Sequence, residues 1–265
     1  MLKFRKMCRE KSPVEIVDWL AENTDLSKVK LKKGISLGGL WISQGKKKKR
    51  VKKIKTQIKS GDFIEFYFNP DLDVDQSVPP THVFSGKGFG IWFKPASQPV
   101  SETPFSDKGC TSYFLKQKFS KVYIINRLDF EVSGLVLVAY NKEMAKILSK
   151  AQNDKKIQKY YLAEVKGITP NEGEIDYELE GKKCLTKFQK LSEYEGNSRL
   201  EVEIVTGRFH QIRRHFNMFN HPIIGDPKYG SNNKSDIGLQ LQAYKLSLPD
   251  SLGGSCSLAD ELLIF

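Results

Sequence analysis

No stretch of this chain approaches the roughly 20 consecutive apolar residues that a membrane-spanning helix needs, so no membrane span is expected. Cysteine is scarce: Cys8, Cys110, Cys184 and Cys256 lie far apart and form no Cys-x-x-Cys pair. Neither a zinc ribbon nor a thioredoxin-like redox site is therefore expected, and no metal is implied. Gly-x-Gly-x-x-Gly and P-loop signatures are missing too, so no nicotinamide, flavin or nucleotide cofactor is expected. The opening residues Met1-Leu2-Lys3-Phe4-Arg5-Lys6 are charged with no apolar stretch behind them, which argues against a signal peptide. Cytoplasmic residence and a monomer are the expectations.

Charge is plentiful but unevenly placed. With 39% hydrophobic and 28% charged residues, the 265-residue chain suits a globular protein with one sizeable core and a smaller module. Residues 1–70 hold 18 Lys and Arg against 7 Asp and Glu, while the remainder holds 25 against 24. A basic block of this kind fits a polyanionic partner, nucleic acid being the commonest; the plainer alternative is a solubilising face.

Residues 1–68 form the first expected domain. Val14, Ile16, Val17 and Leu20 fall near helical spacing, with Ser12 as a possible N-cap and Pro13 at the first helical position. Leu26 to Lys33 reads as a second helix carrying Lys30, Lys32 and Lys33. Gly38-Gly39 precedes a short strand, Leu40 to Ser43, and the run Lys46, Lys47, Lys48, Lys49 and Arg50 reads as an exposed loop. Ile58 to Phe68 closes the module with a turn and a strand. This order, with its Leu-Ser helix start, Gly-Gly and Gly-Asp-x-Ile turn, resembles the small alpha-L RNA-binding domain named for ribosomal small-subunit protein four. That resemblance implies that Lys30, Lys32, Lys33, Lys46, Lys47, Lys48, Lys49 and Arg50 contact RNA. Residues 69–82, acidic and proline-bearing, read as a linker.

From residue 83 to 265 strands alternate with fewer helices, so an α+β domain is expected. Tyr161 to Val165 and Leu200 to Ile204 read as strands, and His210 to Phe219 as a short helix burying Ile212 and Phe216. His210, Arg213 and Arg214 share that helix's polar face on spacing alone. Asp129 sits in a loop between two β-rich runs, where an aspartate is usually a turn or capping residue.

Five ordered segments change its standing. They are Phe93-Lys94-Pro95-Ala96-Ser97-Gln98-Pro99-Val100, Asn126-Arg127-Leu128-Asp129-Phe130-Glu131-Val132-Ser133-Gly134-Leu135, and Lys159-x-Tyr161-x-Ala163-x-Val165-x-Gly167. Thr206-Gly207-Arg208-x-His210-Gln211-Ile212-Arg213 follows, with His221-Pro222-Ile223-x-Gly225-Asp226-x-x-Tyr229-Gly230, then Leu241-Gln242-Ala243-Tyr244-Lys245-Leu246. Across residues 84–248 these segments resemble the RluA-type pseudouridine synthases. The departures are Asn126 and Gln242 for histidine and Ser97 for glycine.

The resemblance implies the pseudouridine synthase fold, a mostly antiparallel mixed sheet with flanking helices. It also implies an isomerase that converts uridine to pseudouridine in structured RNA, rRNA first and tRNA as the alternative. Asp129 would be the catalytic carboxylate, Tyr161 would stack on the uracil and Arg213 would pair with Asp129. Arg127 would enter the space left by the flipped nucleotide. Arg208 and His210 would contact RNA, His210 and His221 having no assigned chemistry, and Gly225-Asp226 would be turn structure. The carboxylate has three open roles: covalent addition to the sugar, stabilisation of positive charge there, or removal of a ribose proton. The isomerisation is redox-neutral, in keeping with a chain that shows no cofactor signature. A non-catalytic RNA-binding factor and a uracil-releasing glycosidase are the rival readings.

Overall fold

A computed structural model describes residues 1–70, 74 and 76–264. The chain divides into two compact units, Met1–Val78 with Ser101–Phe114, and Pro79–Val100 with Leu115–Phe265.

In the first unit β1 (Leu2–Met7) and β2 (Val14–Glu15) precede α1 (Ile16–Asn23) and α2 (Lys28–Leu37). The strands β3 (Leu40–Gln44), β4 (Lys47–Val51), β5 (Gln57–Ile58) and β6 (Phe63–Phe68) follow. An antiparallel sheet of order β1-β6-β3-β4 puts Phe4, Leu40, Ile42, Ile64 and Phe66 against Ile16, Leu20, Leu31 and Ile35 of the helices. The Ser27 side chain accepts from the Lys30 N–H at the start of α2, and Gly38, at φ 96°, closes it in the left-handed conformation that glycine tolerates. Ser12 and Pro13 do not start α1: Val14 and Glu15 pair with Ile58 and Gln57, which delays the helix to Ile16.

The lysine run is not a loop. Lys47 to Val51 pair with Gln44 to Leu40 in a hairpin turned by Gly45 and Lys46. Like charges disfavour a strand on propensity, but here Lys48 and Arg50 lie 5.2 and 4.4 Å from the Trp41 ring centre, and Lys48 also pairs with buried Glu65. The terminal strand β1 had no counterpart in the sequence reading, which took those residues only as charged.

The segment Ser101–Phe114, expected in the second domain, belongs to the first unit. The Trp41 indole N–H donates to the Pro104 carbonyl at 3.0 Å, Arg50 to the Thr103 carbonyl at 2.6 Å, and Lys52 pairs with Asp107 at 2.6 Å. Of the expected linker, residues 71–73 and 75 lie outside the described residues, and Thr81 and His82 already belong to a strand.

The second unit contains β7 (Thr81–Gly86) and β8 (Phe89–Lys94), then α3 (Thr111–Lys118), within which the division of the chain falls. Next come β9 (Tyr123–Ile124), β10 (Ser133–Ala139), α4 (Lys142–Asn153), β11 (Gln158–Lys166), β12 (Glu172–Ile175), β13 (Thr186–Tyr194) and β14 (Asn197–Ile204). After α5 (Gln211–Met218) come β15 (Leu241–Ser247) and β16 (Ser255–Ser257), with short 3-10 helices at Asp250–Leu252 and Asp260–Leu262. The sheet order is β12-β13-β14-β11-β15-β10-β8-β7, with β9 on β10 and β16 on β15. Pairing is antiparallel except between β10 and β15. Side-chain alternation along β10 feeds two cores. Leu135, Leu137 and Ala139 pack with Leu148 of α4, whereas Val136 and Val138 join the core that holds Tyr161, Val202, Ile212 and Phe216. The molecule is α+β, as its sequence pattern indicates.

Candidate active site

The loop between β9 and β10 is fastened at both ends by side chains. Buried Asn126 donates to the Leu135 carbonyl at 3.2 Å and accepts from the Leu137 N–H at 2.7 Å, supplying the bonds a neighbouring strand would make. Ser133 accepts from Gln242 at 3.2 Å. Gly134 lies at φ 126°, and a Cβ there would come within 2.2 Å of the Ala243 carbonyl oxygen. Leu128 and Val132 enter the core, leaving Asp129 half-buried and Arg127 and Phe130 exposed.

The opposing side of the site comes from α5. Gln211 organises the segment before it, accepting from Thr206 Oγ1 and the Arg208 N–H and donating to the Leu185 carbonyl and Thr186 Oγ1. His210 adopts φ 52° at the helix entry. Arg213 does not share a solvent face with Arg214. It is 1% exposed, while Arg214 turns away to Glu180 at 3.0 Å.

Two of the Arg213 nitrogens donate to Asp226, Nε to Oδ2 and Nη2 to Oδ1, both at 2.8 Å. The remaining Nη1 reaches Glu131 at 3.1 Å, and Asp129 Oδ2 and His210 Nε2 at 3.5 Å each. Burial alone would lower the guanidinium's pKa. The Asp226 bond and the charges of Asp226, Glu131 and Asp129 outweigh it and hold the group above its ordinary value. Asp226 likewise resists burial: Arg213 and the Lys228 and Tyr229 N–H groups hold its carboxyl below the usual range. Such a fork is rigid because a planar guanidinium meets both carboxylate oxygens at once.

Tyr161, in β11, is 7% exposed, and burial followed by the nearby Asp129 charge raises its phenol pKa. Lys94, fully buried at the end of β8, donates to the Pro95 and Gln98 carbonyls at 2.8 Å and the Phe130 carbonyl at 3.3 Å. Burial lowers its ammonium to about 7 against the pull of Asp129 and Glu131. His210 is pushed below its ordinary value by burial, with Arg213 and Lys228 adding to it and Asp129 opposing. The result is a fixed cation, locked by Asp226, that faces two half-buried carboxylates, Glu131 and Asp129, with a buried phenol ring near Asp129.

Residues 89–218 match the family model for RNA pseudouridylate synthase. A Helicobacter pylori (strain J99) protein named "Uncharacterized RNA pseudouridine synthase" is 33% identical over 195 residues, covering 68% of this chain and 76% of that protein. The chain belongs to the RNA pseudouridine synthases. It is of the RluA type. The Vibrio cholerae "Dual-specificity RNA pseudouridine synthase RluA" is 32% identical over 143 residues, covering 48% of this chain and 58% of that protein. In fold it matches "Human RNA Pseudouridylate Synthase Domain Containing 1" with TM-score 0.60 at 23% identity, over 74% of this chain and 88% of that one.

In this pseudouridine synthase, Asp129, Arg213, Tyr161 and His210 meet in the second unit. Arg127 and Arg208 are exposed. His221 stands apart, its Nδ1 2.8 Å from the Lys166 carbonyl oxygen. Lys30, Lys32, Lys33 and Lys46 to Lys49 are exposed on the first unit, whereas Arg50 is half-buried between Trp41 and Asp107. Sequence reasoning missed three members. Asp226 was read as turn structure, and Glu131 and Lys94 appeared only inside the motif segments with no role of their own. Only their titratable side chains, inside motifs already found, signalled them.

Proposed function

We propose that this pseudouridine synthase isomerises specific uridines in structured RNA, rRNA first and tRNA as the alternative, using Asp129 on a base flipped into the site. One observation carries the reading. Arg213 is buried and clamped by Asp226, and its other terminal nitrogen lies between Glu131 at 3.1 Å and Asp129 at 3.5 Å. A catalytic carboxylate held against a preorganised cation spends no free energy on reorienting its partner during the reaction. Detaching uracil, turning it and rejoining it through carbon 5 requires no redox partner. It does require one charged group beside the sugar and a flat surface for the base. Tyr161 supplies that surface, and Arg127, exposed two residues before Asp129, fills the gap in the stack. Flipping costs a few kcal/mol, which such a filler offsets.

The first unit is the RNA-holding alpha-L module in this reading, its exposed lysines contributing a sequence-independent attraction to phosphates. The first unit, residues 1–78 with 101–114, then works as a holding domain and the second as a catalytic domain in a cytoplasmic monomer. Carbodiimide-based mapping of RNA from cells with and without the protein tests the proposal. Loss of one or a few pseudouridines, restored by the wild-type chain and not by Asp129→Asn, is expected. No lost position would overturn it, and free uracil as product would make the chain a glycosidase.

A further inference from the structure

Scattered exposed apolar side chains need no explanation. Two phenylalanines of this chain are different, because each is tied to the site. Phe130, 46% exposed, lies between Asp129 and Glu131, whose carboxylates both reach Arg213. Its backbone carbonyl accepts from buried Lys94, so the main chain is held from both sides while the ring remains outside the core. Phe209, 61% exposed, stacks on His210 with ring centres 3.8 Å apart and planes 23° apart. His210 Nε2 is in turn 3.8 Å from Asp129, and its buried Nδ1 has no hydrogen-bond partner among the described residues.

Cations accompany both rings. Arg127 is exposed three positions before Phe130, Arg208 is exposed beside Phe209, and the Lys228 ammonium lies 5.6 Å from the Phe209 ring centre. Exposed aromatics interleaved with cations form a surface suited to unpaired nucleotides, since every base has a π-face and every linkage a phosphate. Paired bases are already stacked on both sides and gain nothing there.

We infer that Phe130 and Phe209 stack on the nucleotides neighbouring the target uridine, so that this enzyme takes uridines whose neighbours are unpaired. The inference rests on the uridine-isomerising reading above and adds a requirement on the RNA around the site.

The test starts with rRNA and tRNA from cells lacking the chain, on which the wild type locates its uridine by mapping. A single-stranded oligonucleotide of that sequence, with 2-aminopurine next to the uridine, is the second probe. Phe130→Ala and Phe209→Ala are each expected to raise KM about tenfold or more, the scale of one lost base stack, with a smaller effect on kcat. Quenching of 2-aminopurine on binding should fall with at least one of the two variants. Phe209→Trp should restore both, which a merely structural role would not predict. Pairing the flanking bases into a duplex should raise KM for the wild type. If the wild type forms pseudouridine but both alanine variants keep its KM and quenching, the stacking role is wrong and the enzymatic reading stands. If the wild type modifies none of these RNAs, both fall together.

Discussion

Asp226 fixes the geometry of Arg213, and its side chain is fully buried. Removing one partner of a buried ion pair costs about 3–5 kcal/mol, because the other charge is left without compensation. Asp226→Ala is therefore expected to lower the unfolding free energy by about that much in urea titrations. Asp129 is a different kind of residue: its side chain is 25% exposed and its Arg213 contact is 3.5 Å long. Asp129→Asn is expected to change stability by less than about 1 kcal/mol while removing product formation altogether, measured on the same preparation. Lys94 gives a pH signature. Its ammonium is lowered in the fold from 10.5 to about 7. Between those values the unfolded chain binds the proton and the folded one does not, so this group makes stability rise with pH across that window. Below pH 7 its burial cost is present in full. The stability of the wild type relative to Lys94→Met should climb as pH is raised from about 7 to about 10, and a flat difference would refute the assignment. Ser97 shows what a motif alone conveys. It stands where glycine is usual in the family, and it sits at φ 57°, a conformation that glycine adopts without a Cβ clash. The motif located Asp129, Tyr161 and Arg213, because chemistry restricts those residue types. It did not give Asp226, Glu131 or Lys94 a role, since each acts through a partner far away in sequence.

Among the elements, the β3–β4 hairpin decides which of its basic residues are engaged within the fold. Lys48 and Arg50 are engaged with Glu65, Trp41, Thr103 and Asp107. Lys46, Lys47 and Lys49 are exposed and not needed for those contacts. Changing these three to glutamine should weaken RNA binding and flatten its salt dependence by up to roughly 0.7–0.9 in log–log slope per lost phosphate contact. Melting temperature should hold. Unchanged affinity across salt would refute the RNA-holding role of the hairpin. The helices α2 and α5 were legible, α2 from its Leu-Ser start, where Ser27 is the cap, and α5 from the spacing of Ile212 and Phe216. Strand β4 was not legible, as three lysines and an arginine ahead of a single valine have little strand propensity of their own. Its basic side chains are accommodated by Trp41 on the paired strand β3 and by Glu65 on β6, one strand further, and Glu65 is too distant in sequence for a local window. Strand β1 was hidden for a similar reason: Leu2 and Phe4 alternate with lysine and arginine, and only pairing with β6 gives the alternation a buried side.

For the molecule as a whole, fold class was readable from the preponderance of strands, and strand order was not, because order depends on pairings distant in sequence. The segment Ser101–Phe114 illustrates this: nothing in its composition separates it from the second unit, and its contacts to Trp41 and Arg50 put it in the first. One pairing has a consequence for synthesis. Strand β15 sits between β11 and β10 and joins two half-sheets, β12-β13-β14-β11 and β10-β8-β7. Asp129 and Lys94 adjoin the second half, while Tyr161 lies in the first and α5, with Arg213, packs on it through Phe188 and Phe216. A chain emerging from the ribosome thus releases both halves of the proposed catalytic centre well before the strand that unites them. Until Leu241 to Ser247 are free to insert, neither half has its neighbour, and closing such a long loop is slow. The nascent protein is accordingly expected to remain silent on RNA until its last strands clear the exit tunnel, and chains stalled before residue 241 should bind RNA through their basic module without modifying it.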